Sequence, residues 1–158
     1  MAAIALSECA DCFPRQMSSY SHSLLNTLHE IAGLVSVDNE RFPISVLDPL
    51  CYAVVRLVPV ERGIYSLIMM TIQKQLLTVG PYISIEGLSD MNSNKRSHLR
   101  TRQIIAILLA AHLLNEKLIA GEDKSSLVKW VLSLYSIAND EVCYFGNSFY
   151  INIHCYMN

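Results

Sequence analysis

The sequence contains few charged residues. Only 16% of its 158 residues are Asp, Glu, Lys or Arg, whereas about a quarter is typical of soluble domains. The formal net charge is −2, so the charge of the whole chain does not indicate a nucleic-acid or other polyanionic partner. Apolar residues make up 52% of the chain, which excludes a disordered chain. We therefore expect one folded domain whose apolar surface needs cover.

Long apolar runs and clustered glycines are also absent. The longest uncharged apolar run, 104–114, has eleven residues, and a helix needs about 20 to cross a bilayer. No basic region precedes the short apolar stretch at the N-terminus, so it does not resemble a signal peptide. The six glycines are scattered, which excludes a glycine-rich phosphate loop. We expect an intracellular protein, nuclear or cytoplasmic, with no membrane span, no cofactor and no identified small-molecule substrate.

Cysteines are few and odd in number, which does not fit a secreted disulfide framework and predicts reduced thiols. The five are Cys9, Cys12, Cys51, Cys143 and Cys155.

Cys9 and Cys12 form the one pair with a motif-like spacing. A redox site of this spacing lies at a strand-to-helix junction, and the sequence predicts no such junction. A zinc site needs two further ligands, and Cys143, His154 and Cys155 do not repeat the two-residue spacing. We interpret the pair as small residues on a buried helical face and predict no metal site.

Apolar residues recur at helical spacing through most of the chain, with no alternating strand pattern. Asp48 is interpreted as a helix N-cap with Pro49 at the first helical position, and Gly121 as a C-terminal stop. The sequence thus predicts an all-α fold of about five to six helices. They cover 2–13, 21–35, 48–57, 61–78, 97–120 and 125–138, with loops at 38–43 and 81–97.

The helices predicted at 61–78 and 97–120 are apolar on almost every face in their middle parts. Such helices are buried on all sides. The predicted core contains Leu24, Leu28, Ile31, Val54, Leu57, Ile64, Leu67, Ile68, Ile72, Ile105, Leu108, Leu109, Val128, Val131 and Leu132.

The last residues differ in character from the helical domain, which we place at 1–141. The tail, 142–158, has no charged residue and holds five of the thirteen aromatic residues. Residues 149–153 have strand propensity, but no partner strand is evident upstream. Two interpretations stay open. The tail is an irregular or short-strand cap on the helices, or it is a truncated or alternative ending outside the evolved domain.

The pattern of 15–22-residue helices ended by proline or glycine, with two apolar helices in the middle, resembles α-solenoid proteins of the HEAT or armadillo type. The resemblance covers roughly residues 2–138 and rests on the helix pattern, since no consensus recurs at a fixed period. It implies a segment whose helices are covered by neighbouring repeats. A self-contained helical bundle with the two apolar helices at its centre explains the same pattern.

Candidate sites for chemistry are sparse. His112 precedes Glu116 by four residues, so the two side chains share a helix face, but no nucleophile accompanies them in a recognisable motif. The one basic cluster is a candidate for contact with an acidic partner surface or, less favoured, with nucleic acid. It consists of Lys95, Arg96, His98, Arg100 and Arg102.

These features predict a non-enzymatic helical scaffold that binds protein partners within a larger intracellular assembly. One alternative is a self-contained bundle that binds a partner's helix in an apolar groove. A second alternative is a module that contacts nucleic acid through residues 95–102.

Overall fold

The protein is helical throughout the part that its computed structural model describes. Within this part 88% of the residues are helical and no strand occurs, so the all-α prediction is confirmed. None of the helices described has the length and apolar character needed to cross a membrane. The predictions for the tail 142–158, for the loop at 38–43 and for residues 81–92 of the loop at 81–97 lie outside this part. The structure describes residues 1–33, 44–79, 93–119, 121 and 123–129. For residues 33, 44, 75–79 and 93–100 it describes the backbone alone.

Within the described residues, six α-helices and one 3₁₀ turn follow one another up to Asn115. The starts of the first, third and fifth α-helices lie within one residue of the predicted ones. Pro14 ends the first helix, as expected, and also begins the second. The helices are α1 (Ala2–Cys12), α2 (Pro14–Met17), the 3₁₀ turn (Ser18–Tyr20), α3 (Ser21–Gly33), α4 (Ile44–Arg56), α5 (Arg62–Val79) and α6 (Ser93–Asn115).

Helix α4 begins four residues before the predicted N-cap. Pro49 therefore lies inside the helix rather than at its first position, and Asp48 does not act as the cap. Inside a helix, a proline loses one backbone hydrogen bond, and its ring crowds the carbonyl group four residues earlier, which here is that of Ser45. Leu47 is fully buried, and its burial in helical register compensates for that loss.

Helix α6 begins and ends earlier than predicted. It starts at Ser93, because the polar residues before Ser97 include no proline or glycine that would prevent helix formation. Its end is set by Lys117, whose φ of 55° lies in the left-handed region. The N–H of Lys117 donates to the carbonyl of Leu114 at 3.1 Å.

The N–H of Leu118 donates to the carbonyl of Leu113, also at 3.1 Å. These two bonds form a Schellman motif, which satisfies the last carbonyl groups of a helix. Gly121 is not the stop: it is helical itself, as are residues 123–129. Sequence reasoning placed the stop at the glycine because a lysine rarely occupies the left-handed position.

Helices α4 and α6 form the centre of the packing. Helix α4 contacts α1, α3 and α6, while α6 contacts α3, α4 and α5. The most extensive contact joins α1 to α4, where the buried side chains of α1 are the small Ala3 and Ala10. Small residues allow two helix backbones to approach closely. No residue of α6 between Thr101 and Leu114 is exposed.

Helix α5 differs from the prediction that it is buried on all sides. Its buried face carries Ile64, Ile68 and Ile72, but Ser66 and Met70 lie exposed on the opposite face. The predicted helix without a polar face is therefore found in α6 and not in α5. The difference follows from position, since α6 contacts three helices of the bundle and α5 packs mainly against α6.

The predicted core is largely confirmed. Leu67 and Val128 are half-buried, and Val131 and Leu132 lie outside the described residues. The other eleven predicted residues are all buried: Leu24, Leu28, Ile31, Val54, Leu57, Ile64, Ile68, Ile72, Ile105, Leu108 and Leu109.

Candidate functional site

The main concentration of charged and polar contacts in the described residues lies between three helices. Asp48, Tyr52 and Arg56 recur every four residues along α4 and therefore share one face. We call these three residues the polar row. Together with its partners on α1 and α6 the row forms what we call the polar seam: Asp11, Asp48, Tyr52, Arg56, His112 and Glu116.

Arg56 is the centre of the polar seam. Its Nη2 lies 2.6 Å from Oδ1 of Asp11 on α1, and its Nη1 lies 2.7 Å from Oε2 of Glu116, just after α6. Partial burial opposes the charge of the guanidinium, but the hydrogen bond to Glu116 and the nearby carboxylates outweigh it and raise the pKa of Arg56. One cation thus ties α1, α4 and the end of α6 together.

Tyr52 links the two ends of the polar seam. Its hydroxyl donates to Oδ1 of Asp11 at 3.3 Å, and its ring meets the ring of His112 edge-on with centroids 5.4 Å apart. Burial raises the pKa of Tyr52, and the charges of Asp11 and Glu116 add to that effect against the opposing charge of Arg56. The hydroxyl therefore stays protonated and acts as a donor.

His112 does not pair with Glu116, although their spacing suggested that they could meet. Its Nε2 donates instead to Oδ1 of Asp48 at 2.9 Å, while Glu116 binds Arg56. The imidazole is mostly buried and the carboxylate of Asp48 is about half exposed, with 16% and 48% of the side chains accessible. The contact joins α6 to α4 at a second point.

A His–carboxylate pair can serve in acid–base catalysis when a reacting group lies next to it. The nearby thiol of Cys51 does not fill that role. It is fully buried, and burial together with the charge of Asp48 raises its pKa well above the ordinary value. A thiol reacts as its thiolate, so Cys51 is inert here. The contacts that the polar seam makes join α1, α4 and the end of α6.

The predicted basic cluster, Lys95 to Arg102, falls within the first ten residues of α6. The side chains of Lys95, Arg96, His98 and Arg100 are not among those described. Arg102 is half-buried, and its charge, together with Lys74 of α5, lowers the pKa of His29 on α3 after the larger effect of burial. Arg102 therefore lies near His29 of α3.

Cys9 and Cys12 are both exposed free thiols, so the prediction of a buried pair is wrong. The helix α1 buries the face that carries Ala3 and Ala10, and the two cysteines lie off that face. No group of three or more His, Cys, Asp or Glu side chains in the described residues is arranged to hold a metal ion. Cys143, His154 and Cys155 lie outside those residues.

Part of the polar seam leaves a signal in the sequence. Polar residues at Asp48, Tyr52 and Arg56 interrupt an apolar helix every four residues, which marks one face for polar contacts. The residues that bind Arg56 from other helices have no such signal in the sequence, because only the tertiary fold brings Asp11 and Glu116 to opposite sides of Arg56.

Comparison with known proteins returns no relative. No protein-family model, curated protein sequence or solved structure matches the chain.

Proposed function

We propose that the protein is a non-enzymatic helical scaffold that binds other proteins inside the cell, as a subunit of a larger assembly. The observation that supports this proposal most is the position of exposed apolar side chains. Six large ones are exposed in the described residues, and four of these belong to the first 20: Met1, Ile4, Phe13 and Tyr20. We infer that the N-terminal region, residues 1–20, contains the partner surface.

The energetics of exposure favour this interpretation. Ile4, Phe13 and Tyr20 expose 48%, 57% and 58% of their surfaces. Complete burial of one large apolar side chain contributes about 1.5–3 kcal/mol, so a partner that covers these residues gains a substantial part of its binding free energy. Single exposed apolar residues are normal on protein surfaces, but four of the six large ones in the described residues lie within one 20-residue segment, which a single partner can contact.

The use of the charged groups also supports a non-enzymatic role. Arg56, Glu116 and His112 all bind side chains of other helices, and their charges hold the bundle together. An enzyme instead needs polar groups that converge on space for a substrate.

The proposal is tested by affinity purification of the full chain from its own cells. We expect a protein partner in near-stoichiometric amount, which is lost with Ile4→Asp and with Phe13→Asp. Met70→Asp is the matched control, because Met70 is 63% exposed but lies on α5. Circular dichroism verifies that each variant folds. The same partners with all three variants would contradict the assignment of the surface, and a chain without partners would contradict the scaffold.

A self-contained bundle that regulates a partner is the second candidate, and the burial of α6 favours it. Of the fourteen residues from Thr101 to Leu114, nine are buried by helices of the same chain and none is exposed, so this stretch needs little cover from a neighbouring repeat. Size-exclusion chromatography with light scattering separates the two candidates. A well-behaved full-length monomer favours the bundle, and self-association or insolubility favours a subunit that requires its assembly.

A further inference from the structure

Two exposed thiols lie at the end of the helix that the polar seam holds in place. Cys9 and Cys12 are both exposed, and Cys12 is the last residue of α1. Between them, Asp11 binds Arg56 at 2.6 Å and accepts a hydrogen bond from Tyr52. The dithiol and the ion pair that joins α1 to α4 therefore share a single helical turn.

The helix brings the two cysteines almost to the separation of a disulfide. Residues three apart in an α-helix have Cα atoms about 5 Å apart, which lies inside the range that disulfides adopt. Their Cβ atoms are about 5–6 Å apart in a regular helix, whereas a disulfide needs about 3.5–4.5 Å. Closing the ring must therefore tighten the turn by about 1–2 Å.

The local backbone confines this movement to one turn. The N–H of Phe13 donates to the carbonyl of Cys9 at 2.8 Å, and Phe13 itself leaves the helix with φ −133° and ψ 53°. The last turn of a helix opens more easily than its interior, because its last four carbonyl groups have no partner within the helix. The contact of Asp11 with Arg56 resists the movement, since it fixes the same turn to α4.

We propose that Cys9 and Cys12 form a reversible dithiol–disulfide site, which exchanges with low-molecular-weight disulfides and is coupled to the Asp11–Arg56 contact. One thiolate attacks a sulfur of oxidised glutathione, forms a mixed disulfide and releases one glutathione thiolate. The second cysteine, after losing its proton, attacks the mixed disulfide and releases the other glutathione. The protein loses two electrons and two protons, and one glutathione disulfide becomes two thiols.

The coupling has a definite sign. Because the Asp11–Arg56 contact holds the turn in its reduced geometry, it favours the dithiol over the disulfide. By linkage, the disulfide weakens that contact by the same factor. Variants that remove the contact must therefore shift the equilibrium toward the disulfide. The inference does not depend on the proposed function, since it concerns the thiols alone.

The site is tested on the full chain in glutathione buffers of graded redox composition, quenched by alkylation and digested with trypsin. The first cleavage site is Arg15, so the peptide 1–15 contains Cys9 and Cys12 and no other cysteine. We expect this peptide to lose two hydrogen atoms and to resist alkylation in oxidising buffer, and to recover in reduced glutathione. A peptide that stays alkylated, carries glutathione without ring closure, or is joined to another peptide contradicts the proposal.

The coupling is tested with Asp11→Asn and Arg56→Gln in the same buffers. We expect both to raise the disulfide-to-dithiol ratio by about two- to fivefold, which is the range for a partly exposed ion pair. Glu8→Gln is the matched control, since it removes an equal charge from the same end of α1 and is expected to leave the ratio unchanged. An effect of charge on the thiolates alone would move Asp11→Asn and Arg56→Gln in opposite directions, and that result, or no shift at all, overturns the coupling.

Discussion

Two adjacent rows of side chains on α4 have the same spacing and opposite chemistry. In the first, which we call the apolar row, all three side chains are fully buried, and in the polar row all three make polar contacts across helix boundaries. The rows are displaced by one residue: Leu47, Cys51 and Val55 form the apolar row, and Asp48, Tyr52 and Arg56 form the polar row. The apolar row needs only to be covered, but the polar row needs particular partners at hydrogen-bonding distance.

The largest expected effect on stability comes from a substitution in the apolar row. Leu47→Ala should lower the free energy of unfolding by about 2–5 kcal/mol, because it removes a fully buried side chain and leaves a cavity. The measurement is chemical denaturation of the full chain, followed by far-ultraviolet circular dichroism.

Val60→Ala is the control for this variant. Val60 is 37% exposed in the turn after α4, so its truncation should change the free energy of unfolding by about 0.5 kcal/mol or less. A loss below about 1 kcal/mol for Leu47→Ala would contradict the start of α4 at Ile44 and favour a start at Asp48.

The same two rows show what the sequence could predict. Helices and most core residues could be predicted because an amphipathic pattern is local and needs no knowledge of the partner. The start of α4 could not, because Asp48 followed by Pro49 is a strong local start signal, and only the burial of Leu47 in the assembled core outweighs it. Where a local sequence signal and the tertiary packing favour different helix boundaries, the packing determines the boundary.

The polar seam was harder to predict for a different reason. His112 and Glu116 lie one turn apart, and their spacing suggests a mutual contact. In the structure each binds a residue of α4 instead, Asp48 and Arg56 respectively. Which of two carboxylates a histidine binds depends on the rotation of one helix against another, and helical periodicity does not contain that information. Asp11 lies 45 positions from Arg56 in the sequence and is brought to it by the packing of α1.

The second largest effect on stability is expected from a substitution in the polar row. Arg56→Met should lower the free energy of unfolding by about 1–2 kcal/mol, because two carboxylates lose their shared cation at a partly exposed site. Arg62→Met, at the exposed start of α5, is the matched control and should change it by about 0.5 kcal/mol or less.

A double-mutant cycle sharpens this prediction. Combining Arg56→Met with Asp11→Asn should give a coupling energy of about 0.5–1 kcal/mol, and salt should reduce it because the pair is partly exposed. Strictly additive losses would show that α1 is held by the packing of Ala3 and Ala10 alone.

A gain in stability is expected at the turn that brings Glu116 to the polar row. Lys117 holds a φ of 55°, which costs a residue with a side chain about 1–2 kcal/mol relative to glycine. Lys117→Gly should therefore raise the free energy of unfolding by about 0.5–1 kcal/mol, after the greater flexibility of glycine in the unfolded chain is subtracted. Gln73→Gly, on the exposed face of α5, should lower it by about 1 kcal/mol, so equal effects of the two variants would contradict the Schellman motif.

The smallest expected effect concerns a polar contact away from the polar row, between α3 and α5. Thr71 donates its only hydroxyl hydrogen to the carbonyl of Leu67 at 2.8 Å, so Nε2 of His29, 3.1 Å from that hydroxyl, must be the donor. Burial, and then the charges of Lys74 and Arg102, lower the pKa of His29 from 6.5.

The unfolded chain therefore binds a proton at His29 before the folded chain does as the pH falls. The contribution of His29 to stability is complete above pH 6.5 and is lost as the pH falls toward the lowered pKa. As the pH falls from 6.5 toward the lowered pKa, the free energy of unfolding of His29→Gln should decrease less than that of the unmodified protein. The imidazole resonance of His29 should also titrate at lower pH in the folded protein than in urea. A folded midpoint at or above the unfolded one would mean that His29 is not buried and that Lys74 and Arg102 do not approach it, and it would contradict the packing of α3 against α5 and α6.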